Sequence, residues 1–303
     1  MKKNFIYACD ENYAPITAVS AASAAKHNPG ASITLLGYRL GKAAVDIVEA
    51  AVRHFGGSFR HLDVEGRLNE ISSTGINSYF SYVAYARVFI ADMLADLGGK
   101  ALYLDSDTFV LAPLDDLFAT EMGESPLALA PDVCPAAYER YIGLKSGQRY
   151  FNTGVSLIDL GNWRRKNCTK RFLDEISNPS APNPLGDQDV TVRLLNDEIV
   201  ALKPKWNYLS QYVLLSEKIE PAILHFSGNT LGRPWFAGSR HPRRGEYRAL
   251  ADELGLLDKV MTTKEIPFVY RLETALYSVL PGFAFRLVFR LMHRLHIRIA
   301  YGV

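Results

Sequence analysis

The feature of this chain that most constrains its fold is the alternation of strand and helix signals in its first half. Short apolar segments predict strands at residues 4–9, 32–36, 58–62 and 101–104. Alanine-rich or amphipathic segments between them predict helices at residues 15–27, 42–55 and 81–94. Such alternation is typical of an α/β fold with a mostly parallel sheet flanked by helices. Because ligands bind at the carboxyl ends of strands in such sheets, we expect the chemistry in the residues that follow each strand.

Beyond residue 110 the alternation becomes less regular. Further strands are predicted at residues 127–130, 155–159 and 222–226, and further helices at residues 162–176 and 189–195. Three prolines predict a loop at residues 178–184. We expect residues 1–263 to form the main α/β domain and residues 264–303 to form a separate basic, aromatic segment.

Charge and cysteine content exclude several classes of protein. A net charge of +2 over 303 residues creates no strong field that would favour nucleic acid as a partner. Residues 264–303, however, carry six basic and two acidic side chains. Cys9, Cys134 and Cys168 follow no disulfide or zinc pattern and are typical of a reducing compartment. The apolar run at residues 5–9 is too short for a signal peptide, so we expect a cytoplasmic protein.

The strongest chemical signal is Asp105-Ser106-Asp107, directly after the fourth predicted strand. Residues two apart in an extended backbone project to one side, so the two carboxylates predict an oxygen-rich site for Mg²⁺ or Mn²⁺. Two other interpretations stay open. Asp-x-Asp also occurs in solvated turns, and the segment resembles the first motif of haloacid-dehalogenase-type phosphatases, with Asp105 as nucleophile and Asp107 as general acid. That family's late acidic pair would be Asp187 and Asp189.

Several other motifs follow one another along the chain. They are residues 8–13, residues 81–87, Asp132, residues 151–155, Asp187-Gln188-Asp189 and residues 225–235. Together with the acidic pair, this set resembles glycosyltransferase family 8, and within it the bacterial lipooligosaccharide and lipopolysaccharide galactosyl- and glucosyltransferases. The resemblance covers about residues 3–236. It implies a GT-A nucleotide-diphospho-sugar transferase fold, a UDP-galactose or UDP-glucose donor, retention of anomeric configuration, and a glycan or glycolipid acceptor of the lipopolysaccharide core.

Carried over to this sequence, the resemblance implies a metal site and a nucleotide site. The implied metal ligands are Asp105, Asp107 and His225, with the UDP diphosphate completing the coordination. Imidazole beside two carboxylates favours Mn²⁺, although Mg²⁺ is also compatible. The uridine is assigned to Ala8, Asp10 and Asn12, and the rest of the donor to Arg87 and Ser106. Without the resemblance, other roles fit these residues as well. Asp10 or Asn12 would cap a helix, Arg87 would lie on the surface and His225 would have a structural role.

The resemblance also implies residues around the transferred sugar and the diphosphate. Asp132, Asn152, Asp187 and Gln188 would surround the hexose, and the last two are the candidate catalytic residues. Without the resemblance, Asp132 and Asn152 would be turn residues. Asp187 would be a helix cap and Gln188 a residue of the first helical turn. Gly228 and Arg233 would hold the diphosphate. Four residues separate them, whereas the family has a shorter spacing and usually lysine; arginine can grip phosphate with two hydrogen bonds.

These assignments favour a front-face mechanism. No histidine or glutamate is assigned as a general base, so the departing phosphate would accept the proton of the acceptor hydroxyl. A double displacement through Gln188 or Asp187 is the competing route. Besides a glycosyltransferase and a phosphatase, a third possible function is that of an inactive protein that only binds a UDP-sugar.

The C-terminal segment carries a basic, apolar pattern. Within residues 283–301, arginines recur in steps of four at positions 286, 290, 294 and 298, among aromatic and aliphatic side chains. A basic amphipathic helix with aromatic anchors is typical of a segment that lies on an anionic membrane surface. The alternative is a helix packed on the domain or against another subunit.

Overall fold

The computed structural model describes residues 3–72, 82–215, 219–263, 266–280 and 282–301, in which ten strands form two sheets. The strands are β1 (Asn4–Asp10), β2 (Ser32–Tyr38), β3 (Ser58–Asp63), β4 (Lys100–Leu104), β5 (Thr108–Val110), β6 (Leu127–Pro131), β7 (Phe151–Asp159), β8 (Ile199–Ala201), β9 (Tyr208–Leu209) and β10 (Ile223–His225). The large sheet has the order β3-β2-β1-β4-β7-β6-β8, and the small sheet has the order β5-β10-β9.

The strands from the first half of the chain pair in parallel, as the sequence predicts. β1 pairs in parallel with β2 and with β4, and β2 pairs in parallel with β3. β7 runs antiparallel to both β4 and β6, whereas β8 joins β6 in parallel. The predicted α/β fold with a mostly parallel mixed sheet is therefore confirmed.

Helices cover this sheet and form the C-terminal end of the described chain. The α-helices are α1 (Ala14–His27), α2 (Lys42–His54), α3 (Glu65–Ser72), α4 (Ile90–Met93), α5 (Asp115–Phe118), α6 (Ala136–Tyr141), α7 (Leu160–Arg165), α8 (Cys168–Ser177), α9 (Asp187–Leu195), α10 (Ser210–Leu214), α11 (Arg244–Glu253), α12 (Leu257–Val260), α13 (Phe268–Val279) and α14 (Gly282–Tyr301). Short 3₁₀ helices span Glu11–Tyr13, Tyr82–Phe89, Asn196–Glu198 and Pro204–Trp206.

Three predicted helices differ from the observed ones. The helix predicted at residues 81–94 is a 3₁₀ helix over Tyr82–Phe89 followed by the single turn α4, and residue 81 lies outside the described residues. The helix predicted at residues 162–176 is divided into α7 and α8 at Asn167, which has φ 50°. Asparagine tolerates this left-handed conformation and interrupts the helix there. α9 begins at Asp187, two residues before the predicted start.

Alternate residues of the central strands enter two separate hydrophobic cores. On β1, Phe5 and Tyr7 pack into one core, whereas Ile6 and Ala8 pack into the other. A strand buried on both faces has a continuous apolar sequence, which explains the uninterrupted run at the start of the chain. Because both faces of the sheet are covered, ligands reach it at the ends of the strands.

The C-terminal helices pack on the rest of the protein by one face. Phe285 and Phe289 of α14 form a small hydrophobic cluster with Leu214 and Leu231. The other face of α14 exposes a stripe that comprises Phe283, Leu287, Leu291 and Leu295. Among the helices that the structure describes, none combines the length and the apolar character that crossing a membrane requires.

Candidate active site

Two carboxylates and one imidazole converge where the two sheets meet. Asp105 and Asp107 flank the turn between β4 and β5, and His225 ends β10. The ligand atoms of these three side chains lie within 4.8 Å of one another. Nε2 of His225 is 3.2 Å from Oδ1 of Asp107 and 3.9 Å from Oδ2 of Asp105. Two carboxylates and one imidazole are a ligand set that fits a divalent cation.

The pairing of β5 with β10 brings His225 to this position. In their antiparallel register His225 lies opposite Thr108, and the backbone N–H of Phe226 donates to the carbonyl of Asp107 over 2.9 Å. The other ring nitrogen of His225, Nδ1, is 2.9 Å from Oδ1 of the fully buried Asn207. This contact fixes the plane of the ring and turns Nε2 towards the two carboxylates, as in many metal sites.

A guanidinium group balances the charge of Asp107. Nη2 of Arg233 lies 3.2 Å from Oδ2 of Asp107, while Nε and Nη1 donate to the carbonyl of Gly228 and the hydroxyl of Tyr13. Burial alone would raise the pKa of Asp107, but Arg233 and His225 outweigh it and lower the pKa to about 2. In the same way, burial favours neutral His225, but the two aspartates raise its pKa above the usual value. The long turn from Gly228 therefore still places Arg233 beside Asp107.

Arg87 is a buried arginine rather than a surface one. Its Nη2 donates to Oδ1 of Asp105 over 3.0 Å, its Nη1 donates to the carbonyl of Thr153 over 2.6 Å, and its Nε lies 2.9 Å from Oδ2 of Asp187. Burial opposes its charge, but the two carboxylates raise its pKa further above the usual value. The Nε–H bond points to the carbonyl of Ala84, so this oxygen of Asp187 has an ion pair without a hydrogen bond.

Three of the four residues assigned to the hexose, Asp132, Asn152 and Gln188, are linked by hydrogen bonds. Oδ2 of Asp132 accepts from Nδ2 of Asn152 over 3.0 Å and from Nε2 of Gln188 over 3.3 Å. Oε1 of Gln188 accepts from the backbone N–H of Thr153 over 3.1 Å, which fixes the orientation of the amide. Asp187 starts α9 but does not cap it, because Gly186 occupies the cap position. Burial raises the pKa of Asp187, although Arg87 opposes the shift.

The residues assigned to the uridine lie at the end of β1, and not all of them reach the same space. Ala8 and Asp10 line the central cavity, and the carbonyl of Ala8 accepts from the hydroxyl of Ser106 over 3.3 Å. Asp10 also caps the 3₁₀ helix after β1, because its Oδ1 accepts from the backbone N–H of Tyr13 over 3.1 Å. Asn12 is exposed on that 3₁₀ helix and does not line the cavity.

A single cavity of about 590 Å³ joins these groups. Its lining includes Asp105, Asp107 and His225, Arg87 and Arg233, the end of β1, and the group around Asp132. This volume lies in the range of sites that enclose small ligands. Of the residues predicted for the site, every one except Asn12 lines this cavity.

The phosphatase alternative is not supported, because its late acidic pair does not assemble at the metal cluster. Asp189 is fully buried on the far side of α9, where its carboxylate accepts from the hydroxyls of Tyr138 and Tyr150 and from the backbone N–H of Leu185. Burial raises its pKa to about 6, and these hydrogen bonds oppose the shift. Asp189 therefore anchors α9 behind the site.

The sequence analysis missed several residues that orient the site. Asn207 holds His225, Tyr13 contacts Arg233, and the ring of Tyr103 lies 4.6 Å below the guanidinium of Arg87. Tyr103 was detectable as the residue two before Asp105 on the strand. Asn207 carried no signal, because it precedes a strand of only two residues.

Comparison with known proteins identifies one family. The model of glycosyl transferase family 8 matches residues 4–238. General stress protein A of Bacillus subtilis is 27% identical over 218 residues, which are 66% of this chain and 74% of that protein. Glycosyltransferase GlyA of Streptococcus pneumoniae is 32% identical over 174 residues, or 54% of this chain, and the match spans 23% of GlyA.

Solved structures share the fold. The galactosyltransferase LgtC, in complex with donor and acceptor sugar analogues, superimposes with a TM-score of 0.73 and 25% identity, over 88% of this chain and 99% of that one. The glycosyltransferase GlyE of Streptococcus pneumoniae has a TM-score of 0.64 and 24% identity, over 85% of this chain and 63% of that one.

Proposed function

The chain belongs to glycosyl transferase family 8 and is a glycosyltransferase of GT-A fold, and from that premise we propose a specific reaction. It transfers galactose or glucose from a UDP-sugar to a glycan acceptor, with a bound divalent cation and with retention of anomeric configuration. The acceptor is a glycan or glycolipid of the lipopolysaccharide or lipooligosaccharide core, as the motif resemblance implies.

One observation carries this proposal: Asp105, Asp107 and His225 converge beside Arg233 in the cavity that Ala8 and Asp10 also line. Mn²⁺ held by these three ligands would polarise the phosphate oxygens of the donor. Arg233 supplies a fixed positive charge next to the same cluster and offers donors to the leaving diphosphate.

The other side of the cavity supports binding of the hexose. Oδ2 of Asp187 is paired with Arg87 but accepts no hydrogen bond, so it can accept one from a sugar hydroxyl. Gln188 is held by Thr153 and Asp132 and is neutral, which favours a role in orientation over a role as nucleophile. We therefore propose that the departing phosphate accepts the proton of the acceptor hydroxyl on the front face of the sugar. Trapping of a sugar adduct on Gln188 or Asp187 would instead establish a double displacement.

The test is UDP release from a panel of UDP-hexoses with Mn²⁺ and with EDTA. We expect release from UDP-galactose or UDP-glucose that stops in EDTA and falls at least 100-fold in Asp107→Ala. Asp116→Ala is the matched control, because it removes an exposed aspartate nearby in sequence from α5. If the wild type neither releases UDP nor binds it in a metal-dependent manner, the proposed reaction is wrong.

We also propose that the protein acts in the cytoplasm, attached to the membrane surface through α14. Phe283, Leu287, Leu291 and Leu295 expose 55–73% of their surface along one face, and Arg290 is exposed beside them. Such a helix binds anionic lipid through both apolar burial and charge. We expect flotation with vesicles containing phosphatidylglycerol but not with neutral vesicles, and its loss in the double variant Leu287→Ser, Leu291→Ser. Unchanged flotation of that variant would contradict attachment through α14.

A further inference from the structure

The C-terminal helices form one wall of the catalytic cavity. Pro267, which caps α13, and Tyr270 and Glu273 within it follow one another at intervals of three residues, and they line the cavity together with Phe289 and Met292 of α14. All five lie beyond residues 4–238, which the family model matches. This wall therefore lies outside the segment that carries the family motifs.

Glu273 is the polar group of this wall that lacks a complete set of partners. Its side chain is 8% exposed, and Oε2 has no hydrogen-bond partner among the described residues. Burial raises its pKa to about 7, and a hydrogen bond from Thr230 partly opposes the shift. A carboxylate kept inside a protein without a cation or a full set of donors costs free energy, unless a ligand completes its hydrogen bonds.

The neighbours of Glu273 indicate which ligand completes them. The two arginines among the described residues that line the cavity, Arg87 and Arg233, are engaged with the aspartates of the metal and hexose sites. Tyr270, Phe289 and Met292 give the same wall of the cavity an aromatic and apolar surface. A few polar groups set in apolar surface are typical of a site for a small neutral ligand, and a sugar has both hydroxyl donors and apolar faces.

We propose that Glu273 is a specificity-determining residue that binds a hydroxyl group of a neutral acceptor sugar through its free carboxylate oxygen. This inference rests on the proposed glycosyl transfer, and it names the acceptor subsite of that reaction. The α13–α14 wall covers the acceptor, whereas the end of β1 holds the nucleotide.

The test separates the KM of the acceptor from the KM of the donor. Methyl β-D-galactopyranoside and methyl β-D-glucopyranoside are the acceptor probes, used with the UDP-hexose that the wild type hydrolyses. In Glu273→Ala we expect the KM of the accepted sugar to rise by about 10–100-fold, because hydrogen bonds to charged groups have that strength. The KM of the donor and the rate of transfer to water should change less than twofold. Glu273→Gln keeps a carbonyl acceptor and should show a smaller rise.

Two further variants separate recognition from folding. Thr230→Val removes the partner of Glu273 but leaves Oε2, and Ser278→Ala changes an exposed position of the same helix. If Glu273 had only a structural role, Thr230→Val and Glu273→Ala would change the KM of the donor, the KM of the acceptor and the Tm together. That result overturns the inference, as does transfer by the wild type to neither sugar while it hydrolyses the donor. If the wild type releases no UDP from any donor, the proposed reaction itself fails.

Discussion

Replacing Gly154 with alanine should disturb the metal ligands directly. Gly154 lies in β7 next to the cluster, and its carbonyl accepts from the backbone N–H of Asp105 over 2.8 Å. A Cβ at this position would lie 2.2 Å from Cε1 of His225 and 2.6 Å from Oδ2 of Asp105. Since ordinary contacts begin at 3.4 Å, the imidazole must retreat by about 1.2 Å.

This displacement is large on the scale of metal coordination. Ligand distances in metal sites vary by only about 0.2 Å, so the ring of His225 and the carboxylate of Asp105 cannot both stay in place. We expect the affinity for Mn²⁺ in the presence of UDP to fall by about 10–100-fold, a loss typical of misoriented ligands. The free energy of unfolding should fall by about 1–3 kcal/mol from overpacking.

Isothermal titration with Mn²⁺ at saturating UDP measures the first effect, and urea unfolding measures the second. Gly66→Ala is the control, because a Cβ added in α3 meets no atom within 4 Å. If Gly154→Ala binds Mn²⁺ as tightly as Gly66→Ala does, these residues do not form the metal site.

Three other predictions follow from the charges of the site. Arg87→Met leaves Asp105 and Asp187 without their buried cation and should lower the free energy of unfolding by about 3–5 kcal/mol in urea titrations; an unchanged free energy of unfolding contradicts this. The native pKa of Asp189, about 6, exceeds its ordinary value of 3.8, so its ionisation opposes folding as the pH rises. Relative to Asp189→Asn, the wild type should lose on the order of 3 kcal/mol of stability between about pH 4 and pH 7; parallel pH profiles contradict this. The Mn²⁺–UDP complex, counted as one ligand at 100 times its Kd, should raise the stability by about 2.7 kcal/mol, and EDTA should reverse the effect in a thermal-shift assay.

Sequence periodicity was sufficient for the part of the fold that is built from local signals. The apolar runs at β1, β2 and β4 and the patterns of α1 and α2 are local signals, and the structure has these elements close to the predicted bounds. The break at Asn167 and the 3₁₀ geometry around Arg87 had no comparable signal. They depend on a left-handed backbone residue and on hydrogen bonds to groups distant in sequence.

The candidate site was predictable in its residue types but less so in its geometry. Asp105 and Asp107 follow a strand and were found from the residues, whereas His225 was assigned only through the family resemblance. The register between β5 and β10, which brings His225 opposite Thr108, joins segments more than 110 residues apart. The role of Glu273 also depends on a tertiary contact, since α13 must fold back over the cavity before its carboxylate can face a ligand.

The turn that carries Asp105 and Asp107 is also the point where the chain passes from the large sheet to the small one. The strands of the small sheet have three, two and three residues, and such strands are not stable by themselves. Mutations in this turn therefore alter architecture and chemistry together, which leaves natural variation little freedom there. The wall formed by α13 and α14 belongs to neither sheet. If it binds the acceptor as proposed, a lineage of such enzymes can exchange acceptors by drift in those helices while its nucleotide chemistry stays unchanged.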